Sequence, residues 1–482
     1  MKSEELRVKN WLTRFTCVSL FFILHFSFFN PNSVQAQWWT GWSQQTGLAL
    51  CLHQTNSGYE LYSPLQTSDP IPVSKWSFQN DTLRLECASI GLKMTLKSTP
   101  LPPSRRGDEE VVPDGATVWN GTWRQGLLKE TITLQPADTL YQLRRPQTPQ
   151  LPYRFDEETV SVDYTDSQGN EVHLEGTLTF PREGTSRHYP CIVLVSGSGQ
   201  QNRDEELFFH KPFLVLADYL ASRGIAVLRY DDRGVGASTG VLDSANTYLF
   251  AEDAEAMFNA LKNNPHVDLD RLGIGGHSEG GAIAPLVASR NKDVKFVLML
   301  AGQGCTGLDV LLQQNEALFR SAGVSPQLVA IRVACSRDLF GMPAGSTQKD
   351  YQTVINRHTE GLTKEQIDSI GLKKGAAYTI MQQLDSRWMR SFLTLDPADY
   401  FPKVKCPVLA LNGSKDCQVL SHPNLDRIAV LCPQAECHEL PNLNHLFQRC
   451  ETGNPDEYIR IEETFAPEAM KTIADWILGG KR

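Results

Sequence analysis

The period of the hydrophobic positions changes twice along this chain. From Trp38 to about Gln142, short alternating runs at Leu48–Leu52, Tyr59–Tyr62, Trp76–Phe78, Leu83–Cys87 and Met94–Leu96 are separated by turn-forming residues. Strands at that spacing, with no helical stretch among them, predict a small all-β domain, a barrel or meander, over residues 37–143. Trp119-Asn-Gly-Thr-Trp123 continues the alternation near its end. Across residues 144–157, Pro146, Pro149 and Pro152 predict an extended, stiff linker, because proline fixes φ and removes a backbone donor.

From residue 158 to 482 the pattern is that of an α/β domain. Val160–Tyr164 and Val172–Leu178 alternate around Ser167-Gln-Gly-Asn170, which predicts a hairpin. Cys191–Val195, Ile225–Tyr230, Leu272–Gly275 and Val294–Leu300 are nearly all apolar, whereas Phe213–Ser222 and Thr247–Asn263 repeat at helical spacing. In the second of these helices Phe250, Ala254, Met257, Phe258 and Leu261 share one face. Apolar strands alternating with helices predict a parallel sheet covered on both faces. From about 305 to 400 only helices and polar connections are read, before strands resume at Pro407–Leu411 and Glu436–Leu440 and a helix closes the chain at Pro467–Leu478. An insertion between two sheet strands belongs above the carboxyl edge, where α/β ligands bind, so this segment reads as a helical cap.

Residues 1–36 are of another kind. Lys2, Arg7, Lys9 and Arg14 precede an apolar stretch from Phe15 to Phe29 and the small-residue site Val34-Gln-Ala36. That is the pattern of a secretory signal peptide, and the apolar stretch is too interrupted for stable membrane insertion. The expected location is the periplasm or the extracellular space. Composition narrows the partners: 46 basic against 55 acidic side chains give a net charge of −9, and no basic run offers a nucleic-acid surface. Cys51 with Cys87, or pairs among Cys417, Cys432, Cys437 and Cys450, are candidate disulfides, and buried thiols fit the same positions. No CxxC pair occurs, which argues against a zinc or thiol-redox role.

The chemistry is concentrated in Gly276-His277-Ser278-Glu279-Gly280, placed between a strand and the helix opening at Gly281. A serine on such a strand-to-helix turn is held in a strained backbone, and the flanking glycines remove side chains that would collide. Its hydroxyl needs a base oriented by a carboxylate, in the chain order serine, acid, histidine. Asp416 follows the strand Pro407–Leu411 and His445 follows the strand Glu436–Leu440, so both fall at the same sheet edge as Ser278. Asp396, Asp399, His422 and His438 are rivals that lack this combination of placement and order. Oxyanion donors are expected from the N–H of Glu279 and from the loop Ser196-Gly-Ser-Gly-Gln200, at Ser198, Gly199 or Gln200. That loop has neither the spacing nor the lysine of a phosphate-binding loop. Asp231-Asp-Arg-Gly-Val-Gly-Ala-Ser238 misses the dinucleotide spacing and reads as a bracing turn, and Arg203, Asp204 and Glu205 are placed to order the oxyanion loop by ion pairing. Trp388 and Arg390, near the end of the cap, are candidates to line an acyl pocket. Such a set needs no metal and no cofactor.

Taken together, Gly197–Glu205, Leu228–Ser238, Gly276–Gly281, Leu411–Val419 and Leu440–His445 resemble exported bacterial α/β-hydrolase esterases of the serine-aminopeptidase-like group, which often carry an extra N-terminal β domain. The resemblance implies an α/β-hydrolase fold, with Ser278 as nucleophile, Asp416 as acid and His445 as base. It implies hydrolysis of short- to medium-chain acyl esters, small molecules, through an acyl-enzyme. Cys417 stands beside the acid where an apolar residue is expected. An aminopeptidase or amidase with the same triad would need acidic cap residues to hold a free amine, for which Glu316, Asp338 and Glu365 are candidates. An acyltransferase would use the same acyl-enzyme, and a glycan-binding protein on a hydrolase scaffold is the non-catalytic alternative.

Overall fold

The computed structural model describes residues 37–42, 49–55, 57–63, 70–100, 117–126, 128–137, 144–182, 188–242 and 245–479. The expected signal peptide lies outside them. The chain divides into two compact units, residues 1–144 and 145–482.

The first unit is one antiparallel sheet of β1 (Gln37–Trp42), β2 (Ala49–Thr55), β3 (Gly58–Tyr62), β4 (Lys75–Gln79), β5 (Thr82–Cys87), β6 (Leu92–Pro100), β7 (Thr117–Gln125) and β8 (Leu128–Ala137). Its order is β3-β2-β1-β8-β7-β6-β5-β4. Period-two alternation sends Leu83, Leu85, Leu92, Met94, Leu96, Trp119, Trp123, Ile132 and Leu134 to one shared interior, together with Trp39, Leu52 and Leu61. The sheet curls until its edge strands meet, where the Tyr59 ring lies edge-on to Trp76 at 5.4 Å. Asn80 and Asp81, with φ of 48° and 58°, make the two-residue turn that joins β4 to β5. β1 and β8, which the sequence pattern did not single out, pair with each other and join the two halves of the sheet.

The second unit begins with Arg145. Its guanidinium donates to the carbonyls of Phe208, Ile459 and Ile461, and Gln147 accepts from the N–H groups of Thr464 and Phe465. Much of the segment expected as linker is therefore fastened to this unit, and β9 starts at Phe155. The sheet contains β9 (Phe155–Thr165), β10 (Glu171–Pro181), β11 (Tyr189–Val195), β12 (Ala226–Tyr230), β13 (Val267–His277), β14 (Val297–Leu300), β15 (Val408–Gly413) and β16 (Ala435–Leu440). Their order is β16-β15-β14-β13-β11-β12-β10-β9. β10 is antiparallel to both of its neighbours, β9 and β12, and the strands from β11 to β16 are parallel.

Helices α1 (Pro212–Ser222), α2 (Thr247–Ala260), α3 (Glu279–Ala288), α10 (Ser421–Leu431) and α11 (Pro467–Ile477) cover the two faces. Alternate strand residues divide between two apolar layers. Val193, Ile274, Met299 and Ala410 pack on α2, α3 and α10, while Ile192, Leu194, Leu298 and Leu409 pack on α1 and α11. Between β14 and β15 lie α4 (Gly307–Ser321), α5 (Pro326–Phe340), α6 (Gln348–Thr359), α7 (Lys364–Ser369), α8 (Ala376–Leu384) and α9 (Arg387–Thr394). These are short and polar outside, and each of α4, α5, α6, α7 and α9 opens on a Ser or Thr whose hydroxyl caps the first turn. Cys335, Leu339, Tyr351, Ile355, Ile370 and Leu384 give them a small core of their own.

No disulfide joins any two of the described cysteines. No described helix is long and apolar enough to cross a membrane.

Candidate active site

β13 ends at His277 and α3 begins at Glu279, leaving Ser278 on the turn between them with φ 54° and ψ −116°. A serine pays strain for that conformation, and it persists because its neighbours over-determine it. The Ser278 N–H donates to the Leu300 carbonyl of β14 at 2.8 Å, and the Gly281 N–H donates to the Ser278 carbonyl at 3.0 Å. A side chain on Gly280 would collide with the Val195 carbonyl, so the glycine is what lets the turn sit against β11.

Asp416 and His445 stand beyond the ends of β15 and β16. The Asp416 Oδ1 accepts the N–H groups of Gln418 and Val419 at 2.8 and 2.9 Å, and its Oδ2 lies 2.7 Å from His445 Nδ1. Both residues are buried. A carboxylate that only accepts assigns the proton to Nδ1, which leaves Nε2 as the basic nitrogen of His445. The His445 ring lies 4.7 Å from the ring of His277, the residue before Ser278.

The loop after β11 passes over the serine: a Cβ on Gly197 would stand 3.2 Å from the Ser278 Cβ. Asp232 holds both ends of this loop, accepting Ser196 Oγ at 2.7 Å and the Gln201 N–H at 2.9 Å. Burial pushes the Asp232 carboxyl well above the usual range, against those two donors. The Gly197 N–H is taken by Glu205 Oε1 at 2.6 Å. Of the residues expected to offer oxyanion donors, Ser198 and Gly199 are half-buried and Gln200 is exposed. Glu279 is buried at the first position of α3.

Residues 211–328 match the family model described as serine aminopeptidase, S33. Esterase EstD of Thermotoga maritima is 30% identical over 358 residues, 74% of this chain and 74% of that protein. The chain belongs to that esterase family. It is accordingly a hydrolase of the esterase type, built on an α/β-hydrolase domain with an all-β region before it. An acyl transferase of Photobacterium phosphoreum is 26% identical over 157 residues, 32% of this chain and 47% of that one. A thermophilic esterase from Thermogutta terrifontis, solved with malate bound, is 17% identical and covers 67% of this chain and all of its own, with a TM-score of 0.37.

The remaining expected residues separate. Trp388 reaches the site: its indole N–H donates to both carboxylate oxygens of Glu279 at 2.9 Å, and Thr247 Oγ1 donates to the same group at 2.6 Å. Burial raises the Glu279 carboxyl, and the Thr247, Trp388 and Ser198 side chains pull it back. Arg390 does not join them; its guanidinium is tied to the Met342 carbonyl at 2.5 Å and to Asp385 at 3.1 Å, within the inserted helices. Asp396 caps a turn at Ala398, His422 and His438 are exposed, and none is brought to Ser278. The turn Asp231–Ser238 carries two ion-pair systems. Arg203 binds Asp231 and Glu175, and the fully buried Arg233 binds Asp166 and Asp253. Among the described residues no three His, Cys, Asp or Glu side chains are grouped to hold a metal ion. Sequence reasoning left His277 and the Asp232–Ser196 contact without a role; the available signal was that both flank residues already singled out.

Proposed function

We propose that the chain is a serine carboxylic-ester hydrolase acting on short- to medium-chain acyl esters, with Ser278, Asp416 and His445 as its triad. The observation that carries this reading is the buried Asp416–His445 pair at 2.7 Å, set at the same sheet edge as a serine in a strained strand-to-helix turn. A buried carboxylate aligned on one imidazole nitrogen makes the other a base, and the turn presents the hydroxyl it would deprotonate. His445 Nε2 takes the Ser278 proton as Oγ attacks the ester carbonyl. The oxyanion is received by the Glu279 N–H and by the loop of Ser198 and Gly199. His445 then returns the proton to the leaving alcohol, and water, activated by the same nitrogen, releases the acid.

Helices α4–α9 act as a cap in this reading, with Trp388 at the pocket wall. Ester is favoured over peptide because the acidic cap residues are committed elsewhere: Glu316 pairs with Arg320, and Asp338 with Arg357 and His358. Glu365 is exposed in the first turn of α7. Residues 1–36 would direct export to the periplasm or beyond, leaving Gln37 as the first residue of the mature chain.

The test is turnover of p-nitrophenyl acetate, butyrate and octanoate against L-amino acid p-nitroanilides, with residues 37–482 and the same chain carrying Ser278→Ala. Ester turnover abolished by the substitution is the expected result. Turnover of anilides alone, or ester turnover that survives Ser278→Ala, overturns the reading.

A further inference from the structure

We propose that Glu205 and His277 form a charged bridge that positions the oxyanion loop and the base relative to Ser278, with His277 held as an imidazolium. The proposal rests on the triad reading above and adds two positioning residues to it.

His277 ends β13 and its ring is enclosed. Nδ1 lies 3.0 Å from Glu205 Oε1, and Nε2 lies 2.9 Å from the backbone carbonyl oxygen of His445. A carbonyl has no proton to give, so Nε2 carries one and donates it. Glu205 Oε1 also accepts the Gly197 N–H at 2.6 Å, a contact that favours the ionised carboxylate. The single proton between Glu205 and Nδ1 therefore belongs to imidazole, the more basic partner. With both nitrogens protonated the ring is cationic. Its charged surroundings agree. Burial alone would lower the affinity of His277 for a proton, while Glu205 from the loop after β11, the His445 carbonyl from the loop after β16 and Asp416 from the loop after β15 raise it. The remaining ring neighbours are His445 and, edge-on at 6.5 Å, Phe447.

The bridge ties three loops that must keep register: the loop over the oxyanion, the elbow, and the loop that carries the base. A neutral imidazole at position 277 could donate through only one nitrogen and would release either the oxyanion loop or the His445 backbone. The bridge also places the positive end of an ion pair against the base. The ring of His277 is 4.7 Å from that of His445.

Two measurements decide the matter. In 15N-histidine-labelled protein at pH 7.5, His277 should show both ring nitrogens in the imidazolium range, assigned by the loss of that set in His277→Gln. A neutral-imidazole pattern at that position overturns the proposal. This readout needs no turnover, so it stands or falls separately from the esterase reading. In kinetics, Glu205→Gln and His277→Asn should lower kcat about tenfold to a hundredfold with KM within about twofold, as expected for misplaced rather than missing groups. A lowered melting temperature with unchanged kcat would show a packing role only and overturn the positioning role.

Discussion

The indole N–H of Trp388 is shared at 2.9 Å between both carboxylate oxygens of Glu279, so a helix inserted between two sheet strands is fastened to the residue after Ser278. Removing that donor leaves a buried carboxylate short of a charge-assisted partner, a loss of about 1.5–3 kcal/mol. Trp388→Phe keeps the ring and deletes the N–H. It should lower unfolding free energy in urea by about 2 kcal/mol and reduce ester kcat/KM in parallel. Equal urea midpoints for the two proteins would refute the contact.

Asp416 offers a sharper comparison. Asp416→Asn keeps an oxygen for the Gln418 and Val419 N–H groups and loses only the charge that selects the His445 tautomer. By the logic of an acid-oriented imidazole, kcat should fall about 10⁴-fold while KM and far-UV circular dichroism hold steady. A fall of less than tenfold would remove Asp416 from the proposed triad.

Arg233 is fully buried and donates to Asp253 through Nε at 2.7 Å and to Asp166 through Nη1 at 2.9 Å. Arg233→Met strands two carboxylates in the interior, at a cost of about 3–5 kcal/mol. The expected outcome of a urea titration is a fall in unfolding free energy of that size. Adding Asp253→Asn to Arg233→Met should recover part of it, and a double variant no better than the single would contradict the pairing.

Acid stability follows from His210 and Asp166. Burial, followed by the nearby Arg145, lowers His210 to about 3 from the ordinary 6.5, so the folded chain holds it neutral. Between pH 6.5 and 3 the unfolded chain binds a proton that the folded chain refuses, and stability falls by about 1.4 kcal/mol per pH unit as pH drops. Asp166 adds a second, lower window. Burial would raise it, but the Asn170 N–H and amide, Arg233 and the Gln168 N–H bring it to about 2, so its contribution is lost below about pH 4. His210→Asn should flatten the upper window and leave the lower one, as read from urea midpoints across pH 2 to 7.

How much of this was legible in the chain depends on whether a residue reports on its own backbone or on a distant partner. Gly276, Gly280 and the apolar runs before them disclose a strand-to-helix turn because backbone geometry is local. Asp416 and His445 could be placed because each closely follows a strand. Strand ends were read short: β13 starts at Val267 rather than Leu272, because Asp268, Asp270 and Arg271 are polar where the strand leaves the core. β1 and β8 went unread since they pair with each other across 95 to 99 positions, and no local pattern announces such a ladder. Arg233 looked like part of a turn; its meaning is set by Asp166 and Asp253, residues from a hairpin and a helix elsewhere in the chain. His277 was hidden for the same reason, its carboxylate lying 72 positions away.

The backbone of Ser278 is held out of its preferred conformation by the Leu300 carbonyl and by the close seat of Gly280 on β11. A strained turn relaxes as soon as its clamps loosen, well before the sheet itself parts. On slow heating, turnover should therefore fade several degrees below the loss of ellipticity, which makes catalytic rate the earliest thermometer of this fold.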